Sequence, residues 1–209
     1  MVPIAQVVKP RASFKRVKFL KSIEEKWQEK WRRARIFEPE PDEDRPKFFI
    51  TFPYPYVNAY PHLGGAYTVL RNDIMARYKR MRGYNVLFPQ GWHATGGPIV
   101  AAALRVREGD PKQISILKSM GISEEEIPLF EDPKYWVKFF CKEWRRDFER
   151  YGLSIDWRRE FHTTYLNPPY NKFIQWQYKR LFSKGLIAKG THPVVWCPKE
   201  LKVVGDHDR

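Results

Sequence analysis

The sequence predicts an α/β protein built on a parallel sheet, and three observations carry that expectation. The run Phe48-Phe49-Ile50-Thr51-Phe52 has the length and composition of a buried strand. Residues 66–81 follow with Leu70, Ile74, Tyr78 and Met81 at helical spacing on one face. Asn85-Val86-Leu87-Phe88 is a second short apolar run, opened by Gly83 and closed by Pro89 and Gly91. Strand, helix, strand is a βαβ unit, which pairs its strands in parallel through a right-handed crossover. A Rossmann-type sheet with helices on both faces is therefore expected.

The other elements fall around that unit. Residues 1–13 read as a loose basic tail. Residues 14–37 place Phe19, Leu20, Ile23, Trp27, Trp31 and Phe37 near helical spacing, a helix expected to dock its tryptophan face outside the sheet. Pro39, Pro41 and Pro46 with Glu38, Glu40, Asp42, Glu43 and Asp44 make an acidic linker. Pro98 opens a helix through Leu104. Asp110-Pro111 and Asp132-Pro133 each pair a capping carboxylate with proline at the first helical turn, so two more helices begin there. Gly121 ends the first of these. The second turns Trp136, Phe139, Phe140, Trp144 and Phe148 inward and Lys138, Lys142, Arg145, Arg146 and Arg150 outward. A short strand is expected at 154–157. A last helix at 169–184 carries Phe173, Trp176, Leu181 and Phe182 as a core stripe. The expected division is 1–45 for tail, helix and linker, 46–188 for the sheet domain, and 189–209 for the start of an inserted domain.

Composition narrows the classes. A chain of 209 residues with 43% hydrophobic content can build a real core, which excludes wholesale disorder. A formal charge of +14 points to a polyanionic partner, and RNA fits. Two cysteines in unlike contexts, Cys141 and Cys197, are expected to be free thiols in a reducing compartment. No signal peptide or membrane span is read, so a cytoplasmic protein without membrane contact is expected. No G-x-x-x-x-G-K-[ST] loop or serine nucleophile elbow occurs. Trp196-Cys197-Pro198-Lys199-Glu200 outlines half a zinc knuckle, but the second cysteine position is Glu200, so no structural zinc or other resident metal is expected.

The chemistry concentrates after the first strand. Tyr/Pro/Asn-rich turns lead to His62-Leu63-Gly64-Gly65 and a helix. A strand feeding a glycine turn and a helix N-terminus cradles phosphate, because amide N–H groups and the helix dipole face the anion. His62 adds a side-chain donor where phosphate charge builds up.

These residues resemble the H-[IL]-G-H signature of class I aminoacyl-tRNA synthetases, with glycine at the last position. Gly91-Trp92-His93-Ala94-Thr95-Gly96-Gly97-Pro98 resembles the second active-site loop of the leucine type, in its archaeal and eukaryotic cytosolic form. Ser154-Ile155-Asp156-Trp157-Arg158-Arg159-Glu160-Phe161-His162-Thr163-Thr164 is similar to that family's S-x-D-W-x-R-E-F-x-T block. Gly205-Asp206-His207-Asp208 resembles an element near the start of its editing insertion. The resemblance implies ATP-dependent activation of leucine and transfer to tRNA(Leu), with Mg²⁺ accompanying the phosphates. It implies His62 and Gly65 at the catalytic centre, and Asn58, His62, Gly64 and Gly65 at ATP. Phe52, Tyr54, Tyr56, His93 and Thr95 would face the amino acid. Arg145, Arg146, Arg150 and Arg158 would face tRNA, with Trp144 and Trp157 as stacking surfaces. Asp156 is expected to cap a helix or pin a loop.

The resemblance also implies a longer enzyme, so this portion is expected to be incomplete alone, the rest coming from the same frame or a second polypeptide. Gly65 supplies no imidazole donor. A degenerate paralogue that binds nucleotide or RNA without ligase activity therefore stands as the alternative, and a non-catalytic interaction module as a third.

Overall fold

A computed structural model of the chain describes residues 12–95, 97–198 and 201–204. Most of the basic tail, Gly96, Lys199, Glu200 and the Gly205-Asp206-His207-Asp208 element lie outside the described residues.

Helix α1 (Ala12–Ala34) stands largely clear of the body, with Val17, Phe19, Leu20, Ile23 and Trp27 exposed. Its end docks. Gln28 Nε2 donates to the Arg150 carbonyl at 2.9 Å, and Trp31 meets Phe37 edge-on at 5.6 Å. The Arg77 guanidinium lies 5.1 Å from both rings. The expected docking face is thus carried by Trp31 and not by Trp27. The acidic linker is also held, through Glu38 and Glu40 pairing with Arg158.

Strand β1 (Lys47–Phe49) is followed by helix α2 (Leu63–Met81) and strand β2 (Asn85–Leu87). The strands pair in parallel, Lys47 opposite Asn85 and Phe49 opposite Leu87, so the βαβ unit forms as expected. The first strand is shorter than the apolar run. Ile50 N–H still donates to the Leu87 carbonyl, and Pro53 and Pro55 follow in a stretch outside the named strands. Pairing resumes at Tyr56, bridged to His93, whose N–H donates to the Pro55 carbonyl at 2.9 Å.

Strand β3 (Gly91–Trp92) continues the line of β2. Three helices follow: α3 (Gly97–Arg107), α4 (Pro111–Ser119) and α5 (Pro133–Arg150). The two Asp-Pro starts behave as read. Asp110 accepts from the N–H groups of Lys112 and Gln113, and Asp132 accepts from Lys134. A 3₁₀ turn at Trp157–Arg159 interrupts the strand expected at 154–157, and strand β4 (Phe161–His162) pairs in parallel with β3. Asp156 N–H donates to the Phe88 carbonyl, Phe161 N–H to Gln90 and Thr163 N–H to Trp92. Residues 85–93 are thus a central strand flanked on both sides by parallel neighbours. Helix α6 (Pro168–Ser183) and a hairpin of strands β5 (Trp196–Cys197) and β6 (Lys202–Val203), antiparallel, complete the described chain.

The core lies between the central strand, α3 and α5. Val86, Phe88, Trp92, Phe130, Trp136, Phe140, Trp144 and Phe148 are all buried there. Each such side chain contributes about 1.5–3 kcal/mol by leaving water. Two expected stripes do not join it. On α2, Ile74, Tyr78 and Met81 are exposed, and the helix faces the body with Val69, Asp73 and Ala76. On α6, Phe173, Trp176, Leu181 and Phe182 are all exposed. Periodicity marks an apolar face but does not say which neighbour covers it.

Candidate functional site

His62 is the N-cap of α2, in extended backbone, and its Nδ1 accepts from the Gly64 N–H at 3.1 Å. An acceptor Nδ1 carries no proton, which leaves Nε2 as the donor atom of an exposed side chain. One ring nitrogen serves the helix and the other is a free-facing donor. Gly64 is glycine for the same reason: a Cβ there would sit 2.9 Å from His62 Cε1 and 3.0 Å from Nδ1. Its first duty is to seat the imidazole. With the Gly64 N–H taken by His62 and the Ala66 N–H by the His62 carbonyl, the Leu63 and Gly65 amides are the ones of this turn left facing the positive end of the helix. A Cβ at Gly65 would lie 3.3 Å from Trp144 Cη2, so a side chain there would meet the buried indole.

Beside this turn, Tyr56 stacks on His93 with centroids 4.1 Å apart and planes at 24°. Burial pulls the His93 pKa below 6.5, so the ring is neutral at pH 7 and able to accept a hydrogen bond from an ammonium group. Tyr54 lies edge-on to Phe161 at 5.2 Å and covers Gly91, where a Cβ would meet its ring at 2.7 Å. Phe52 corrects the expected wall. It is 5% exposed and packs in the core against Phe148, on the same face as the half-buried Phe48 and Ile50. Thr95 is half-buried and Asn58 exposed. Thr163, buried, accepts from the Ala94 N–H at 3.0 Å and ties the His93 loop to β4.

The lowered His93 pKa fixes the sign of a pH effect. Between its folded value and 6.5 the unfolded chain binds the proton more readily, so acidification through that window removes stability, and none is lost above it. The His93 Cε1 proton is expected to titrate below 6.5 by NMR. The fall in urea-unfolding stability on acidification should be smaller in His93→Gln.

The arginines expected to meet RNA are largely answered by carboxylates. Arg145 pairs with Glu149 at 3.0 Å and Glu160 at 2.6 Å, its guanidinium 5.2 Å from the Trp157 ring. Arg146 pairs with Glu143 and Asp147. Arg158 pairs with Glu38, Glu40 and Asp156. Arg150 is exposed. Trp144 is no stacking surface, being 4% exposed. Asp156, fully buried, caps the 3₁₀ turn and holds Arg158 and Arg159, the pinning role expected of it. Cavities of about 400 and 790 Å³ flank α1 at Gln28, Trp31 and Gly152, away from the exposed surface around His62 and Tyr56. We place the candidate chemistry on the latter, because it carries the unengaged ring nitrogen of His62 and the neutral His93 acceptor.

Sequence reasoning missed one polar joint. Asp73 Oδ1 accepts from both the N–H and the hydroxyl of Ser154 at 2.6 Å, and Oδ2 accepts from Arg77 at 2.7 Å. Arg80 donates to the Ser154 hydroxyl at 2.6 Å and carbonyl at 2.9 Å. Burial lowers Arg80 to about 10, still charged at neutral pH. This joint fastens α2 to the segment before β4 and so fixes where its N-terminus aims. The Asp73–Arg77 spacing was visible; Ser154, 81 residues from Asp73, was not.

Among the described residues both cysteines are free, and no helix is long and apolar enough to cross a membrane. Burial pushes the Cys141 thiol up to about 12.

A parallel βαβ unit whose crossover helix begins at a histidine-capped, glycine-paired turn defines an α/β protein of Rossmann type. The family model of class I tRNA synthetases (I, L, M and V) matches residues 26–207, and the chain belongs to that family. It is 75% identical over 190 residues to the leucine–tRNA ligase of Aeropyrum pernix, covering 91% of this chain and 20% of that protein. It is 55% identical over 163 residues to that of Nanoarchaeum equitans, covering 78% of this chain and 16% of the relative. The LeuRS of Agrobacterium radiobacter K84, solved in a ternary complex with tRNA and LeuAMS, superposes with a TM-score of 0.65 at 26% identity, over 87% of this chain and 20% of that one. The chain spans about a fifth of the length of the leucine–tRNA ligase relatives of which it covers 20%.

Proposed function

We propose that this chain is the ATP- and leucine-facing portion of a leucine–tRNA ligase. The observation that supports it most is the His62 ring at the start of α2, its Nδ1 engaged by the Gly64 N–H and its Nε2 left as a donor on an exposed side chain. In the reaction, the leucine carboxylate attacks the α-phosphorus of ATP, forming leucyl-adenylate and releasing pyrophosphate. The acyl group then passes to the terminal adenosine of tRNA. His62 Nε2–H and the first-turn amides stabilise charge on the phosphate oxygens, with Gly64 seating the ring and Asn58 near the nucleotide. Neutral His93 accepts from the leucine ammonium, with Tyr54, Tyr56 and Thr95 around the side chain. Mg²⁺ enters with ATP as part of the substrate; the first turn of α2 offers no acidic side chain.

In this reading residues 46–188 are the catalytic portion, and 189–209 begin the editing insertion. Arg150 and the rims of the Arg145, Arg146 and Arg158 pairs meet tRNA(Leu), and a remaining portion completes the enzyme in the cytoplasm. One observation favours the non-ligating paralogue as second reading: Gly65 supplies no second imidazole, a loss of roughly 2.7–4 kcal/mol if that donor were needed in the transition state.

Titration of the chain with a non-hydrolysable leucyl-adenylate analogue, followed by ¹H–¹⁵N NMR, tests the proposal. Shifts at Leu63, Gly64, Ala66 and His93 are expected. Shifts confined to α1 and α5, or equal binding of the adenylate analogue of a charged amino acid, would overturn it.

A further inference from the structure

We propose that Trp144 is a positioning residue for the His62 turn and that Gly65 is its counterpart, the edge of the indole standing 3.3 Å from where the fourth signature residue would place its first side-chain atom. The inference rests on the reading of that turn as a phosphate site.

Trp144 comes from α5, far along the chain, and it touches the turn at two points. Its Nε1–H donates to the Ala59 carbonyl at 2.7 Å, holding the loop that delivers His62. The far edge of its ring lies under Gly65, where a Cβ would be 3.3 Å from Cη2 and 3.6 Å from Cζ3. The ring is 4% exposed, packed edge-on to Phe148 at 5.4 Å and tilted against Trp92 at 6.2 Å. A Cβ at residue 65 therefore needs the indole to give by a few tenths of an ångström. The indole can do so only by straining the Ala59 bond or displacing two buried aromatic rings.

The height of the α2 N-terminus above α5 is thus set by one ring, and glycine at 65 is what lets the helix rest on it. The family signature places a donor here; this chain has a support instead. The departure at Gly65 and the tryptophan on α5 are one feature, which is why Gly65→His alone is not a repair.

The test is a double-mutant cycle on the whole chain with Gly65→Ala and Trp144→Phe. Alanine is the better helix former, so in open space it would raise the melting temperature. Beside Trp144 it is expected to lower it and to shift the Trp144 indole N–H resonance. Phenylalanine removes the ring edge, so adding Gly65→Ala to Trp144→Phe is expected to raise the melting temperature, a reversal of sign. Binding of the leucyl-adenylate analogue should weaken about tenfold in Gly65→Ala and recover in part in the double variant. Additive melting shifts, or a rise in Gly65→Ala alone, overturn the proposal, as does unchanged affinity in that variant. If the sign reverses but the unsubstituted chain binds no analogue, the nucleotide reading falls and Trp144 remains the support of the turn.

Discussion

His62→Ala, in a full-length synthetase carrying this chain, is expected to cut leucine-dependent pyrophosphate exchange by about 10²–10³-fold, the loss of one preorganised donor. The same substitution also removes a helix cap and about 1 kcal/mol of stability, because Gly64 N–H loses its acceptor. The two losses separate in His62→Asn. Asparagine is a good N-cap, so the melting temperature should return nearly to that of the parent. Its short amide does not reach where Nε2–H stands, so exchange should stay low. Equal recovery of both properties would show that the histidine matters only as a cap, and the phosphate role would have to be abandoned.

Asp73→Ala is expected to have the largest effect on stability. Removing the carboxylate leaves the Ser154 N–H and hydroxyl without their acceptor and the Arg77 guanidinium without its counter-charge, all at a buried or half-buried joint. Breaking one side of such a pair costs about 3–5 kcal/mol. At about 2–4 °C per kcal/mol for a chain of this size, the melting temperature should fall by roughly 10 °C. Asp73→Asn keeps one oxygen for Ser154 and should lose distinctly less. A fall of under 2 °C in Asp73→Ala, by calorimetry, would mean that α2 is held by its apolar contacts alone, and the aim of its N-terminus would need another explanation.

The contrast between these two residues shows what the sequence made legible. His62 stood in a local pattern, strand, turn and helix, and every part of that pattern is a short-range signal. Asp110 and Asp132 were readable likewise, because a cap and a following proline act within one turn. Asp73 is the one acid in a helix rich in Arg and Lys; its meaning comes from Ser154, which the fold brings beside it. The tautomer of His62 was hidden too, since it depends on the angle at which the ring lies over Gly64. Phe52 was misplaced because it was grouped with Tyr54 and Tyr56 across Pro53 and Pro55, whereas it keeps to the inward face shared by Phe48 and Ile50. The bare stripes of α2 and α6 are the same lesson in reverse: the apolar faces were real, and only their burial was assumed.

Those prolines have an evolutionary consequence. Between β1 and the bridge at Tyr56 the main chain takes little part in the sheet's hydrogen bonding, so exchanging Tyr54 or Tyr56 leaves strand register untouched. In the proposed reading these side chains face the amino acid. Selectivity could then drift by single substitutions in a lineage while the architecture beneath is inherited unchanged.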